Sequence, residues 1–139
     1  MVQQVKEVMT ERPITLSKDA SLADAARLMR DRGIGDVIVV EGDDAEGIVT
    51  DRDIVIRGVA EGADPQTTRL GQVISAELVS VTPDDPVERA IELMREKAVR
   101  RLPVLEAGKP VGVLSLGDLA IQRDAKSVLA DISEEPPDR

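Results

Sequence analysis

The chain has 139 residues, a net charge of −9, and no Cys, His, Phe, Tyr or Trp. That length suits one domain whose core needs no metal or disulfide staple, and the missing Cys and His exclude thiol chemistry, disulfides and the commonest transition-metal ligands. Without aromatic stacking platforms, and with a charge that repels phosphate backbones, nucleic acid is not an expected partner.

No apolar run approaches the ~20 residues of a membrane span. The opening Met1–Lys6 lacks the apolar stretch of a secretory signal, so a cytoplasmic protein is expected. Ile14–Leu16 then reads as a short strand. Ser21 is a helix cap with Asp24 three residues on, and Leu22, Ala25, Ala26 and Met29 share one helical face. Val37–Val40 is an apolar strand, Glu41–Glu46 a polar turn and Gly47–Val49 a second strand. A helix follows from about Asp51 to Val59.

A shift of 65 positions lays the chain on itself: Val8, Asp19, Ala25, Met29, Val39, Gly47 and Asp53 recur as Val73, Asp84, Ala90, Met94, Val104, Gly112 and Asp118. This is too long for a solenoid period of 20–50 residues. It suits a small α/β unit that needs a partner to close its core. Residues 5–59 form the first repeat, 60–69 a polar linker and 70–123 the second repeat. In the second copy Asp85 reads as an N-cap with Pro86 at the first helical position, and Val87, Ala90, Ile91 and Met94 as the buried face. Pro103–Leu105 and Gly112–Leu114 are strands joined by the turn Glu106–Pro110. Ser127–Ile132 extends the last helix, and the charged, Pro-rich 133–139 reads as a disordered tail.

The segment that carries chemistry is Gly47-Ile48-Val49-Thr50-Asp51-Arg52-Asp53, echoed by Gly112-Val113-Leu114-Ser115-Leu116-Gly117-Asp118. Each is a strand that ends on a hydroxyl and turns into a helix with Asp three positions on. A hydroxyl beside unpaired helix N–H groups suits phosphate, and a carboxylate one turn inside can accept both vicinal hydroxyls of a ribose. The same residues also read as ordinary capping boxes. The two roles are compatible.

With Val8-Met9-Thr10, Leu28-Met29, Leu93-Met94 and Val99-Arg100-Arg101-Leu102-Pro103-Val104, these motifs make residues 5–123 resemble the tandem cystathionine-β-synthase (CBS) domain pair, or Bateman module, of the stand-alone bacterial type. The resemblance implies an α/β (α+β) fold: two pseudo-symmetric β-α-β-β-α repeats packed through their sheets into one disc-like module spanning 1–139. It implies a homodimer and a non-catalytic, regulatory module that senses AMP, ADP, ATP or S-adenosylmethionine, with no cofactor required and the regulated partner unnamed. It also implies shared sites. One groups Thr50, Arg52 and Asp53 with Val79, Val99, Arg100 and Arg101; the other groups Ser115 and Asp118 with Ile14, Ile34, Gly35 and Asp36.

The first group is the preferred one, because it holds three guanidinium groups, the better fork for phosphate. The second carries Asp36, has Leu116 and Gly117 in place of Asp51 and Arg52, and has Ile38 where the family favours Pro, as at Pro103. Adenine would lie between aliphatic side chains such as Val79 and Val99. The competing reading of Arg100 and Arg101 is a solvated basic edge, worth about 0–1 kcal/mol in surface pairs. Two rival functions stand beside the sensor: an interaction module that dimerises through its helices and binds no metabolite, and a Mg²⁺-dependent nucleotide hydrolase. The hydrolase lacks a nucleophile with an activating base.

Overall fold

The structure, a computed structural model, describes residues 3–74 and 77–123. The readings for Ser127–Ile132 and for 133–139 lie outside them. In chain order the elements are β1 (Thr10–Glu11), β2 (Thr15–Ser17), α1 (Leu22–Arg32), β3 (Asp36–Glu41), β4 (Asp44–Thr50), α2 (Asp51–Asp53), α3 (Val87–Lys97), β5 (Arg101–Glu106), β6 (Lys109–Ser115) and α4 (Leu116–Arg123). This is a mixed α/β fold with two three-stranded sheets, ordered β2-β3-β4 and β1-β6-β5. Among the described residues no helix is long and apolar enough to cross a membrane.

The residues gather into two compact units. Among the described residues, the first takes those between Ile14 and Leu78; the second joins those up to Pro13 to those from Val79 on. In the first unit β2 runs parallel to β3, and β3 and β4 form an antiparallel hairpin that pairs Asp36 with Thr50 and Val39 with Gly47. In the second, β5 and β6 form the equivalent hairpin, pairing Arg101 with Ser115 and Val104 with Gly112. Each hairpin slips register once, between Val39 and Val40 and between Val104 and Leu105. The turns are tighter than the sequence suggests, because the strands extend to Glu41 and Glu106 and resume at Asp44 and Lys109. Ala107 and Gly108 both take positive φ, 53° and 81°, the backbone that closes a two-residue hairpin loop with the right twist.

Neither unit is made of one repeat alone. Leu70 and Val73, from the start of the second repeat, are buried in the first unit with Leu22, Ala25, Met29, Val37, Val39 and Val49. Val5, from the start of the first repeat, is buried in the second unit with Val87, Ala90, Met94, Leu102, Val104 and Leu114. Backbone bonds repeat the exchange. Leu22 N–H donates to the Thr68 carbonyl (3.0 Å) and Leu70 N–H to that of Ala20 (2.8 Å); correspondingly, Val87 N–H donates to Gln3 (2.9 Å) and Val5 N–H to Asp85 (2.9 Å). The entry segments thus satisfy helix N-terminal donors that would otherwise lack partners. They also approach closely: a Cβ on Gly112 would lie 2.6 Å from the Met9 sulfur, and one on Gly47 3.3 Å from Ile74.

Ser21 caps α1 as expected, its hydroxyl accepting from Asp24 N–H (3.0 Å) while the Asp24 carboxylate accepts from Ser21 N–H (3.1 Å). At α3 the expected cap is displaced. Pro86 is the N-cap and the helix starts at Val87, because the Gln3 carbonyl takes the Val87 N–H and the Asp85 carboxylate turns back to Thr82 N–H (2.9 Å). Ala26, expected on the buried face, is exposed, and Ala23 is buried in its place. The helix from Asp51 is α-helical for one turn and then winds wider over Ile54–Val59, with Ala60 N–H reaching Val55 O at 2.8 Å. A Cβ on Gly58 there would lie 2.7 Å from Leu22 Cδ1.

Leu70 is fully buried, so Leu70→Ala should destabilise the chain by about 2–5 kcal/mol in denaturant unfolding, although it lies outside the repeat whose core it fills. The Ser21 N–H, with smaller help from the Ser21 hydroxyl and Arg27, holds the Asp24 carboxyl below its usual 3.8. A carboxyl depressed in the folded state supports folding above its unfolded value, and that support is lost as pH falls through the folded value. Asp24→Asn should therefore flatten the decline of the thermal midpoint in acid.

Candidate functional site

Each hairpin ends where chemistry was expected. β4 delivers Thr50 to the N-cap of α2, where its Oγ1 accepts from Asp53 N–H (3.1 Å) and Asp53 Oδ2 accepts from Thr50 N–H (2.9 Å). β6 delivers Ser115 to the same position before α4, with Asp118 N–H donating to Ser115 Oγ (3.0 Å) and Ser115 N–H to Asp118 Oδ2 (2.9 Å). Both motifs are therefore reciprocal capping boxes, as the structural reading of the sequence held. The box uses one oxygen of each carboxylate and leaves Oδ1 outside it. Both Asp residues are half-buried, with a rim to solvent.

The loop after the preceding helix closes against each junction. Gly33 (φ 64°) ends α1 and Ala98 (φ 54°) ends α3, both left-handed. The chain then turns, so that Ile34 N–H reaches Met29 O (3.0 Å) and Val99 N–H reaches Met94 O (3.1 Å). The next carbonyls accept the first helical N–H of the following helix: Gly35 O from Asp51 (3.0 Å) and Arg100 O from Leu116 (2.8 Å). One residue further on, Asp36 stands directly opposite Thr50 and Arg101 directly opposite Ser115. Residues directly opposite in an antiparallel pair project to the same face with Cβ atoms about 4.5–5.5 Å apart.

The register therefore sorts the candidates by unit. Thr50, Arg52 and Asp53 share the first unit with Ile14, Ile34, Gly35 and Asp36, whereas Ser115 and Asp118 share the second with Val79, Val99, Arg100 and Arg101. Each group expected from the sequence draws members from both units. Ile14 and Ile34 pack against the first core, and Val79 and Val99 against the second. Arg52 is exposed, its N–H donating to Asp51 Oδ1 (2.8 Å); Leu116, at the position of Asp51, has no carboxylate to offer Gly117.

Beside the second junction lies a cleft of about 430 Å³, lined by Met94, Arg95, Val99, Arg100, Leu116 and Leu119 among others. This is within the usual size for a small-molecule site. Arg95 and Leu119 were not named as site residues from the sequence, and Leu116 was noted only as the replacement for Asp51. The available signal was Leu116 itself, apolar where the other repeat has Asp; in the structure it is half exposed. Among the described residues no group of three or more carboxylates is placed to hold a metal ion.

Comparison with known proteins fits this architecture. The family model of the CBS domain matches residues 5–58 and again 70–122. The CBS domain-containing protein YhcV of Bacillus subtilis is 38% identical over 138 residues, 96% of this chain and 98% of the relative. A CBS-domain protein of known structure from Burkholderia ambifaria is 33% identical with a TM-score of 0.82, covering 90% of this chain and 96% of its own. The CBS domain pair of protein MJ0100, solved with 5′-methylthioadenosine and S-adenosylmethionine, shares the fold at 20% identity and a TM-score of 0.81, covering 91% and 100%. The chain belongs to the CBS domain family and carries the domain twice in tandem, as a CBS pair, a regulatory module.

Proposed function

We propose that this CBS pair is a non-catalytic sensor of an adenosyl compound such as AMP, ADP, ATP or S-adenosylmethionine, and that it needs no further cofactor. What supports this reading is the doubled strand-hydroxyl-helix-carboxylate junction. The free oxygen of the Asp accepts from the ribose hydroxyls while the other holds the capping box. The residues of the site are those named from the sequence: Thr50, Arg52 and Asp53, and Ser115 and Asp118, with Val79, Val99, Arg100 and Arg101, and with Ile14, Ile34, Gly35 and Asp36. The strand register favours a change in their grouping. Arg101 opposite Ser115 and Arg100 on the adjoining cleft give the Asp118 junction the guanidinium groups. That makes Asp118, rather than Asp53, the preferred ribose ligand for a phosphorylated compound.

Calorimetric titration with ATP and AMP tests this. A hydrogen bond to a charged group is worth roughly 1.5–3 kcal/mol, so Asp118→Asn should weaken binding on the order of tenfold to a hundredfold, and Asp53→Asn much less. The reverse order would return the preference to Asp53. The absence of Trp, Tyr, Phe and Cys gives an independent readout: purified, nucleic-acid-free protein that absorbs in the adenine band has retained its ligand.

The chain also forms a homodimer in this reading, through helix surface the cores do not use. Val55, Ile56 and Val59 are 55%, 48% and 67% exposed on one stretch of the wide helix after Asp53, an apolar surface rarely left open on a monomer. Ile56→Asp should shift the sedimentation coefficient to that of a monomer while leaving the melting of the chain cooperative. An unchanged coefficient would remove this surface from the interface.

A further inference from the structure

We infer that residues 3–13 are an exchangeable arm through which two copies of this chain interlock, each arm completing the second unit of the other copy. The arm belongs to the second unit although the chain runs straight from it into the first, with Pro13 at the end of one and Ile14 at the start of the other. It is bonded to the second unit along its length. Val5 N–H donates to Asp85 O (2.9 Å), Lys6 N–H to Pro83 O (2.9 Å) and Val87 N–H to Gln3 O (2.9 Å). Lys6 Nζ meets Asp84 Oδ1 at 3.0 Å, and Thr10 and Glu11 pair with Val113 and Gly112 on β6. Val5 is fully buried in that core, with Val8 and Met9 packed against it. The same contacts are open to the arm of a second copy.

What an exchange changes is the hinge. β1 ends at Glu11 and β2 begins at Thr15, so the chain passes from one unit to the other over three residues. Arg12, the first of them, sits at φ 57°, a left-handed backbone that is costly for a residue with a Cβ, and the following Pro13 restricts it further. Such backbone persists only where its surroundings impose it. A short hinge under strain favours exchange between copies over closure within one. Against it stands the effective concentration of a tethered arm, on the order of millimolar. Extending the hinge relieves Arg12 in both chains of a dimer, so interlocked dimers form in concentrated protein and closed chains persist in dilute solution. The exchange reaches the second junction, because β6, the strand that delivers Ser115, is then edged by Thr10 and Glu11 of another copy.

The chain has no Cys, so introduced thiols report the exchange directly. Gln4 and Pro86 are antiparallel bridge partners. The bonds that flank them, Val5 to Asp85 and Val87 to Gln3, make them a non-hydrogen-bonded pair, with Cα atoms about 4.5 Å apart and within disulfide reach. Full-length chains carrying only Gln4→Cys, lengthened by a tag, are mixed with chains carrying only Pro86→Cys. The mixture is unfolded, refolded in concentrated solution, oxidised and separated on a denaturing gel without reductant. The expected product is a covalent dimer of one chain of each kind, in excess of either chain linked to itself. Its yield should fall at least about threefold when both chains also carry Arg12→Gly, which accepts the left-handed hinge without strain. Thr10→Cys with Val113→Cys, partners across β1 and β6, replaces the first pair should Pro86→Cys fail to fold. Mixed dimers no more abundant than self-linked ones, or a yield indifferent to Arg12→Gly, would overturn the exchange. Either result would leave the contact through Val55, Ile56 and Val59 standing as the route to a dimer.

Discussion

The exchange of entry segments is the constraint on which the rest of the structure depends. Each hairpin and its helix leave one flank of core and the first helical N–H without partners. In both units the missing piece comes from the start of the other repeat: Val5 fills the core containing Leu102 and Leu114, and Leu70 fills the core containing Leu22 and Val37. Burying a side chain of that size stabilises by roughly 1.5–3 kcal/mol. Neither repeat can claim that contribution alone. The segment between repeats is correspondingly not slack, since Thr68 and Pro65 carbonyls accept from Leu22 and Ala23 at the start of α1. Glycine at 47 and 112 follows from the same exchange, because Ile74 and Met9 occupy the space a side chain there would need.

In the proposed reading, the junction residues serve structure and ligand at once. A capping box fixes the hydroxyl and the carboxylate relative to the strand end and the helix, through two reciprocal bonds near 3 Å in each unit. It consumes one carboxylate oxygen and leaves the second positioned but uncommitted to the cap. Pre-organisation of this kind removes the cost of ordering the side chains when a ligand arrives. The structural and functional interpretations of Thr50, Asp53, Ser115 and Asp118 therefore do not compete.

Much of this was legible in the chain itself. The repeat, the cap at Ser21, the hairpins and the strand-to-helix junctions follow from patterns with short-range causes: apolar spacing, a hydroxyl before a helix, a carboxylate three residues on. The departures have long-range causes. Asp85 lost its expected cap because Gln3, far along the chain, supplies the acceptor that Val87 N–H needs, which frees the carboxylate to turn back to Thr82. The wide winding of Ile54–Val59 is equally silent in sequence, where the apolar spacing suits an ordinary helix. Gly58 allows that stretch to sit against Leu22, a neighbour no local pattern names.

By itself the sequence determined the family and the doubled architecture, and it named the residues proposed to hold a ribose and a phosphate, because each depends on residue type at fixed short spacing. It also displayed the asymmetry of charge between Gly35-Asp36 and Arg100-Arg101. Only the tertiary structure decided which charges stand beside which hydroxyl. That depends on strand register, and register sets Asp36 across from Thr50 and Arg101 across from Ser115. A one-residue slip would turn those side chains to the opposite face. Hydrogen bonds between strands, not the order of residues along them, carry that information.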